Sequence, residues 1–150
     1  MKIVELSEKP KLLEDAIKYF WKCWGSPSNF NFYKDCIEHS LDKTNPLPKF
    51  YLALENDEII GSYALLTNDI ISRQDLLPWL ACLFVNEEYR SKGIAKRLLA
   101  HGLKEAKQKN FNTLFLSTDL KDFYENNGWS YLENGFNLFG ESIKIYSKKT

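Results

Sequence analysis

The stretch WLACLFV (79–85) constrains this chain more than any other. A nearly continuous apolar run of this length suits a strand covered on both faces. YRSKGIAKRLL (89–99) follows within a few residues and sets a glycine among basic side chains. Ile94, Leu98, Leu99, Leu103 and Ala106 then fall on one stripe, which predicts an amphipathic helix over about 91–109. A buried strand turning directly into such a helix requires a sheet with helices packed on it.

The remaining elements fit that frame. KIVEL (2–6) reads as a first strand. Leu12, Leu13, Ala16, Ile17, Phe20, Trp21 and Trp24 recur at helical spacing until Gly25-Ser26-Pro27 ends the pattern. A second helix is expected over about 30–41, and two prolines make the following TNPLPK a loop. FYLALE (50–55) and EIIGSYALL (58–66) form a hairpin across Asn56-Asp57. NTLFLST (112–118) is a strand, and LKDFYENN (120–127) a short helix capped by Gly128. Two closing strands are expected around Asn134-Gly135. The order β-α-α-β-β-β-α-β-α-β-β makes a mixed α/β domain, and 150 residues suit one domain over 1–150.

Charge narrows the function classes. Twenty Lys plus Arg balance 20 Asp plus Glu, so the basic excess of a general nucleic-acid binder is absent. No apolar run reaches the roughly 18 residues of a membrane span, and MKIVELSEKP has no signal-peptide core. Cys23, Cys36 and Cys82 are odd in number and show no metal-ligand spacing, so no metal is expected. A reducing, cytoplasmic compartment fits these features.

Local charge is another matter. A strand feeding a helix through a short turn leaves backbone N–H groups unpaired at the helix mouth, and these favour an anion. Gly93 keeps that turn bare, and Arg90, Lys92, Lys96 and Arg97 surround it. The segment is neither a Walker A loop nor a dinucleotide-binding fingerprint. On its own it fits two readings, a plain turn in a solvated basic stretch or a cradle for a diphosphate.

The surrounding motifs bear on that choice. RSKGIA (90–95) is similar to the [QR]-x-x-G-x-[GA] signature of the GNAT superfamily of acyl-CoA-dependent N-acetyltransferases, and FYENNGW (123–129) resembles its later F-Y-x-x-x-G-[FW] element. The resemblance covers residues 79–132 and extends loosely to the rest. It implies a mainly antiparallel central sheet flanked by helices, acetyl-CoA as cosubstrate and an amine of a small molecule or peptide as acceptor. By the same resemblance, backbone amides of Arg90, Ser91, Lys92, Gly93, Ile94, Ala95 and Lys96 cradle the diphosphate of coenzyme A. Leu83, Phe84 and Val85 bond its pantetheine arm, and Tyr124 stands near the thioester sulfur as general acid. Many family members carry Asn seven residues before that tyrosine, where this chain has Ser117.

A base is also needed, because a lysine-type amine with a pKa of about 10.4 is protonated at neutral pH. Asp69, Asp75, Glu55 and Asp119 are the candidates, and Asp75 is taken first for its place before the central strand. Trp24, Phe30 and Phe32 flank the GSPSN loop in the region expected to receive the acceptor, with SRQDLLPWL opposite. Arg73 holds an acceptor anion there or pairs with Asp69 or Asp75. His101 is expected on the solvated side of its helix. A homodimer through an exposed last strand is open. A non-catalytic acyl-CoA sensor and a cofactor-free interaction module remain as alternatives, separated from the enzyme by amine-dependent thiol release.

Overall fold

A computed structural model describes all 150 residues. The chain runs β1 (Lys2–Glu5), α1 (Leu13–Trp24), α2 (Phe30–His39), β2 (Lys49–Glu55), β3 (Glu58–Leu66), β4 (Trp79–Val85), α3 (Ile94–Gln108), β5 (Thr113–Thr118), β6 (Ser130–Phe136) and β7 (Ser142–Lys149). The strands form one sheet in the order β1-β2-β3-β4-β5-β7-β6. Every neighbouring pair is antiparallel except β4 and β5. No helix is long and apolar enough to cross a membrane.

Period-two alternation in the central strands divides the core. Phe50 and Leu52 of β2 face α1 and α2, where Phe20 and Ile37 are fully buried with them. Tyr51 and Ala53 face the other way, toward Leu98, Leu99 and Ala106 of α3. Asn56 and Asp57 both take positive φ, 49° and 64°, which suits the two-residue β2–β3 turn.

Four expectations change. Residues 120–127 do not form a regular short helix; only one tight turn, Glu125–Asn127, precedes Gly128, whose φ of 77° closes it. Asn134-Gly135 lies inside β6, and the hairpin turns later, between Phe136 and Ser142. Gly135 is small because another segment crosses it: a β-carbon there would come within 3.0 Å of Ile71 and 2.8 Å of Ile145. The last strand is not a sheet edge, since β7 runs between β5 and β6; the edge strands are β1 and β6. His101 turns inward, its Nδ1 2.6 Å from the Tyr63 hydroxyl and its Nε2 3.9 Å from Glu105. Burial lowers the His101 pKa, and Glu105 acts against that shift.

Candidate active site

The site begins where β4 leaves its neighbours. Against β3, Ala81 pairs with Ala64 while Phe84 pairs with Ser62, so Cys82 and Leu83 bulge opposite Tyr63. Cys82 absorbs the bulge with a φ of 53°, and the Ser62 hydroxyl donates to its carbonyl at 3.1 Å. Against β5, β4 pairs only at Trp79 with Phe115. Past that point the two parallel strands part. WLACLFV is accordingly buried at Trp79–Ala81 and only half-buried at Cys82–Phe84.

A cavity of about 500 Å³ opens beside the parting. Leu83, Phe84 and Val85 line one wall, and Arg90, Ser91, Gly93, Ile94, Ala95 and Lys96 line the mouth of α3. Tyr124 closes it, with Phe123, Leu120 and Tyr89 alongside. Lys92 is the one expected cradle residue outside this lining; its ammonium sits 5.0 Å from the centre of the Tyr89 ring. Tyr89, Leu120 and Phe123 escaped the sequence reading. Phe123 carried a signal in its place beside Tyr124, but aromatic side chains are more often core.

The α3 mouth suits an anion. Ser91 and Gly93 both take left-handed φ, 61° and 74°. Gly93 occupies the N-cap position with no side-chain cap, and no acidic residue lies in the first turn. The first N–H groups of α3 thus lack helical partners. Lys96 and Arg97 stand at a positive dipole end, an arrangement costing about 0.3–1 kcal/mol per cation that an anion would reverse. A β-carbon at Gly93 would meet nothing within 4 Å, so φ, not crowding, calls for glycine there. Arg90 pins the end of β4: its Nε donates to the Val85 carbonyl at 3.0 Å, and its guanidinium lies 5.5 Å from the Phe84 ring centre.

Tyr124 is 7% exposed and its hydroxyl has no hydrogen-bond partner in the protein. Phe123 meets it edge-on at 5.0 Å and Trp129 at 6.3 Å, which fixes the ring. Burial pushes its pKa up to about 12, and the charge of Asp69 adds to that. Asp69 itself is pushed up to about 6 by burial, while the Ser117 hydroxyl, donating at 3.4 Å, works the other way. Ser117, the departure from the family pattern, therefore engages a carboxylate of the β3–β4 connection.

Asp75 is placed differently from its expected role as base. Its carboxylate is 62% exposed and accepts from Arg73 Nε at 2.8 Å and Nη2 at 2.7 Å, which lowers its pKa. Arg73 also pairs with Glu133 on β6. Neither residue lines the cavity. Glu55 contacts the N-terminal amine at 3.4 Å, and Asp119 is exposed.

A second cavity, of about 260 Å³, lies between α2 and the start of the β3–β4 connection. Asp69 and Cys82 line it with Phe32 and Tyr33. Of the three aromatic residues singled out in sequence, only Phe32 reaches it; Phe30 packs edge-on against Trp21 at 5.2 Å, and Trp24 against Phe84 at 6.4 Å.

Compared with protein families, residues 13–129, well over half of the chain, match the acetyltransferase (GNAT) family. No curated protein matches the chain. Among solved structures, aminoglycoside 6'-N-acetyltransferase from Enterococcus faecium is 18% identical, with 99% of this chain and 97% of that chain covered and a TM-score of 0.74. An aminoglycoside 6'-N-acetyltransferase complexed with coenzyme A is also 18% identical, with coverage of 99% and 97% and a TM-score of 0.73. A GNAT family acetyltransferase from Elizabethkingia anophelis with acetyl-CoA bound is 19% identical, with coverage of 87% and 88% and a TM-score of 0.62. At these identities the likeness is one of fold.

Proposed function

The chain belongs to the acetyltransferase (GNAT) family, and from that premise we propose that residues 1–150 form one N-acetyltransferase domain that moves an acetyl group from acetyl-CoA directly to a bound amine. The observation that carries this reading is the parting of β4 from β5, because the resulting cavity joins the α3 mouth to Tyr124. Coenzyme A or acetyl-CoA bound to two structures of the same fold supports it. The three cysteines are unpaired thiols, which supports the cytoplasm as its compartment.

In this reading the diphosphate lies on the amides from Ser91 to Lys96, and the pantetheine arm runs along Leu83–Val85. A backbone N–H of that stretch polarises the thioester carbonyl. The acceptor's ammonium first gives up one proton to solvent; the neutral nitrogen then attacks the carbonyl carbon, the N–C bond forms, the C–S bond breaks, and the departing thiolate takes a proton from solvent. The nitrogen becomes far more acidic as that bond forms, so Asp69, with a pKa of about 6, can take its proton. Asp69 takes the place of Asp75 as base in this reading, because it is largely buried on the second cavity, which Cys82 joins to the first, whereas Asp75 is exposed and held by Arg73.

Tyr124 keeps its proton at neutral pH, because its pKa is about 12. Full transfer to a thiolate of pKa about 8.5 is uphill. Its share is therefore a hydrogen bond donated to the departing sulfur. Tyr124→Phe should lower kcat about 10- to 100-fold and leave acetyl-CoA affinity unchanged; unaltered kcat across the pH range would remove Tyr124 from the mechanism.

Calorimetric titration tests the reading as a whole. Acetyl-CoA and coenzyme A should bind at micromolar concentration and ATP should not. Failure of both coenzyme A species to bind would overturn it.

A further inference from the structure

The second cavity has a chemistry of its own. Asp69 is the only charged side chain in its lining. Phe32 and Tyr33 form a corner, their rings at 78° with centroids 5.5 Å apart. The Tyr33 hydroxyl donates to the Trp24 carbonyl at 3.0 Å, which fixes that ring. Phe50, Leu66, Ile70 and Cys82 are among the other apolar residues of its wall. Cys82 also ties this cavity to the first, because the next residue, Leu83, lines the coenzyme side.

Size and charge both restrict what can enter. About 260 Å³ lies below the roughly 300–1,000 Å³ range of pockets for drug-sized ligands. One carboxylate can pair with one ammonium. A second ammonium on the same molecule would find no second carboxylate, only Thr67, Asn68 and apolar walls, which is unfavourable. An apolar ring against Phe32 and Tyr33 gains burial, and an ammonium crossing their faces gains a cation–π contact.

Ile70 adds an independent sign. It is a β-branched residue at a φ of 54°, a rare and strained conformation, and it is 47% exposed. Asn or Asp would suit that backbone better. An isoleucine kept there brings an apolar side chain to the rim, next to Asp69.

We infer that the acceptor is a primary amine with a single positive charge on a compact apolar or aromatic body, seated between α2 and the β3–β4 connection with its ammonium against Asp69. This rests on the acetyl-transfer reading above. It separates the chain from the aminoglycosides named for two structures of its fold.

The test is thiol release from acetyl-CoA with 2-phenylethylamine, 1,4-diaminobutane and kanamycin, after acetyl-CoA binding has been measured. The first amine should show a kcat/KM at least 10-fold above either of the others. Diaminobutane or kanamycin equalling it would overturn the inference and leave acetyl transfer standing. So would silence of 2-phenylethylamine in a protein that binds acetyl-CoA. Failure to bind acetyl-CoA would instead remove the acetyl-transfer reading, and this inference with it. Phe32→Ala should raise the KM for 2-phenylethylamine about 5-fold at unchanged acetyl-CoA affinity. Ile70→Asp, a second carboxylate at the rim, should raise diaminobutane kcat/KM at least 10-fold relative to 2-phenylethylamine; an unmoved ratio counts against the site.

Discussion

Asp69→Asn is expected to lower kcat/KM by about 100- to 1,000-fold and, at the same time, to make the protein more stable at neutral pH. Both effects come from one cause. Burial raises the Asp69 pKa from 3.8 to about 6, so the folded state resists the charge that catalysis needs. The folded protein then binds this proton more tightly than the unfolded chain does. Stability from this group is greatest below pH 4, falls as pH rises through 4–6, and stays reduced above 6. A shift of about two units corresponds to about 3 kcal/mol at most, and partial solvent access brings it to about 1–3 kcal/mol. Asparagine removes that penalty without changing the shape. At about 2–4 °C per kcal/mol for a chain of this length, melting temperatures at pH 7.5 should separate by several degrees and converge near pH 4. Wild-type kcat/KM should rise with pH through an apparent pKa near 6, and the variant should lack that limb. A variant with wild-type turnover and an intact limb would place the base elsewhere.

Asp69 and Asp75 show where the sequence stops being legible. They lie six residues apart in one polar stretch, and both are candidate bases on composition and position. What separates them is distant. Ser117 comes 48 residues after Asp69 and donates to it, and Glu133 on β6 holds Arg73, which holds Asp75. Burial, and with it the raised pKa, is a property of the assembled sheet. His101 failed for the same reason: helical spacing marks a stripe, but the partner that turns the ring inward is Tyr63 on another element.

Features set by local chemistry were readable. Asn56-Asp57 turned as their residue types suggest, and α1 and α3 followed their apolar stripes within a few residues. Asn134-Gly135 had the composition of a turn, yet Gly135 lies within β6 with the side chains of Ile145 and Ile71 packed over it. The bulge at Cys82 and the single bridge between β4 and β5 had no sequence signature beyond an apolar run. The second cavity was partly visible, since Phe32 was singled out, but the run FNFY does not say which of its rings share a lining with Asp69.

Gly93→Asp is expected to weaken acetyl-CoA binding by at least 100-fold while the fold survives. The backbone needs φ near 74°, which aspartate and asparagine tolerate better than other side chains. A β-carbon there meets nothing within 4 Å, so no packed group must move. The cost to folding is then the left-handed conformation alone, about 1–2 kcal/mol. The cost to binding is electrostatic. A carboxylate about 4–5 Å from a diphosphate loses roughly 3 kcal/mol at an effective dielectric near 20, which is at least 100-fold in affinity. Gly93→Asn carries the same shape and backbone strain without the charge, so it should lose no more than about 10-fold. The ratio of the two affinities, measured by calorimetry at low and high salt, isolates the field at the mouth of α3. A large ratio that shrinks as salt rises is the mark of an anion seated on those amides. Equal affinities would mean that the diphosphate is held elsewhere and that the basic first turn of α3 is only surface.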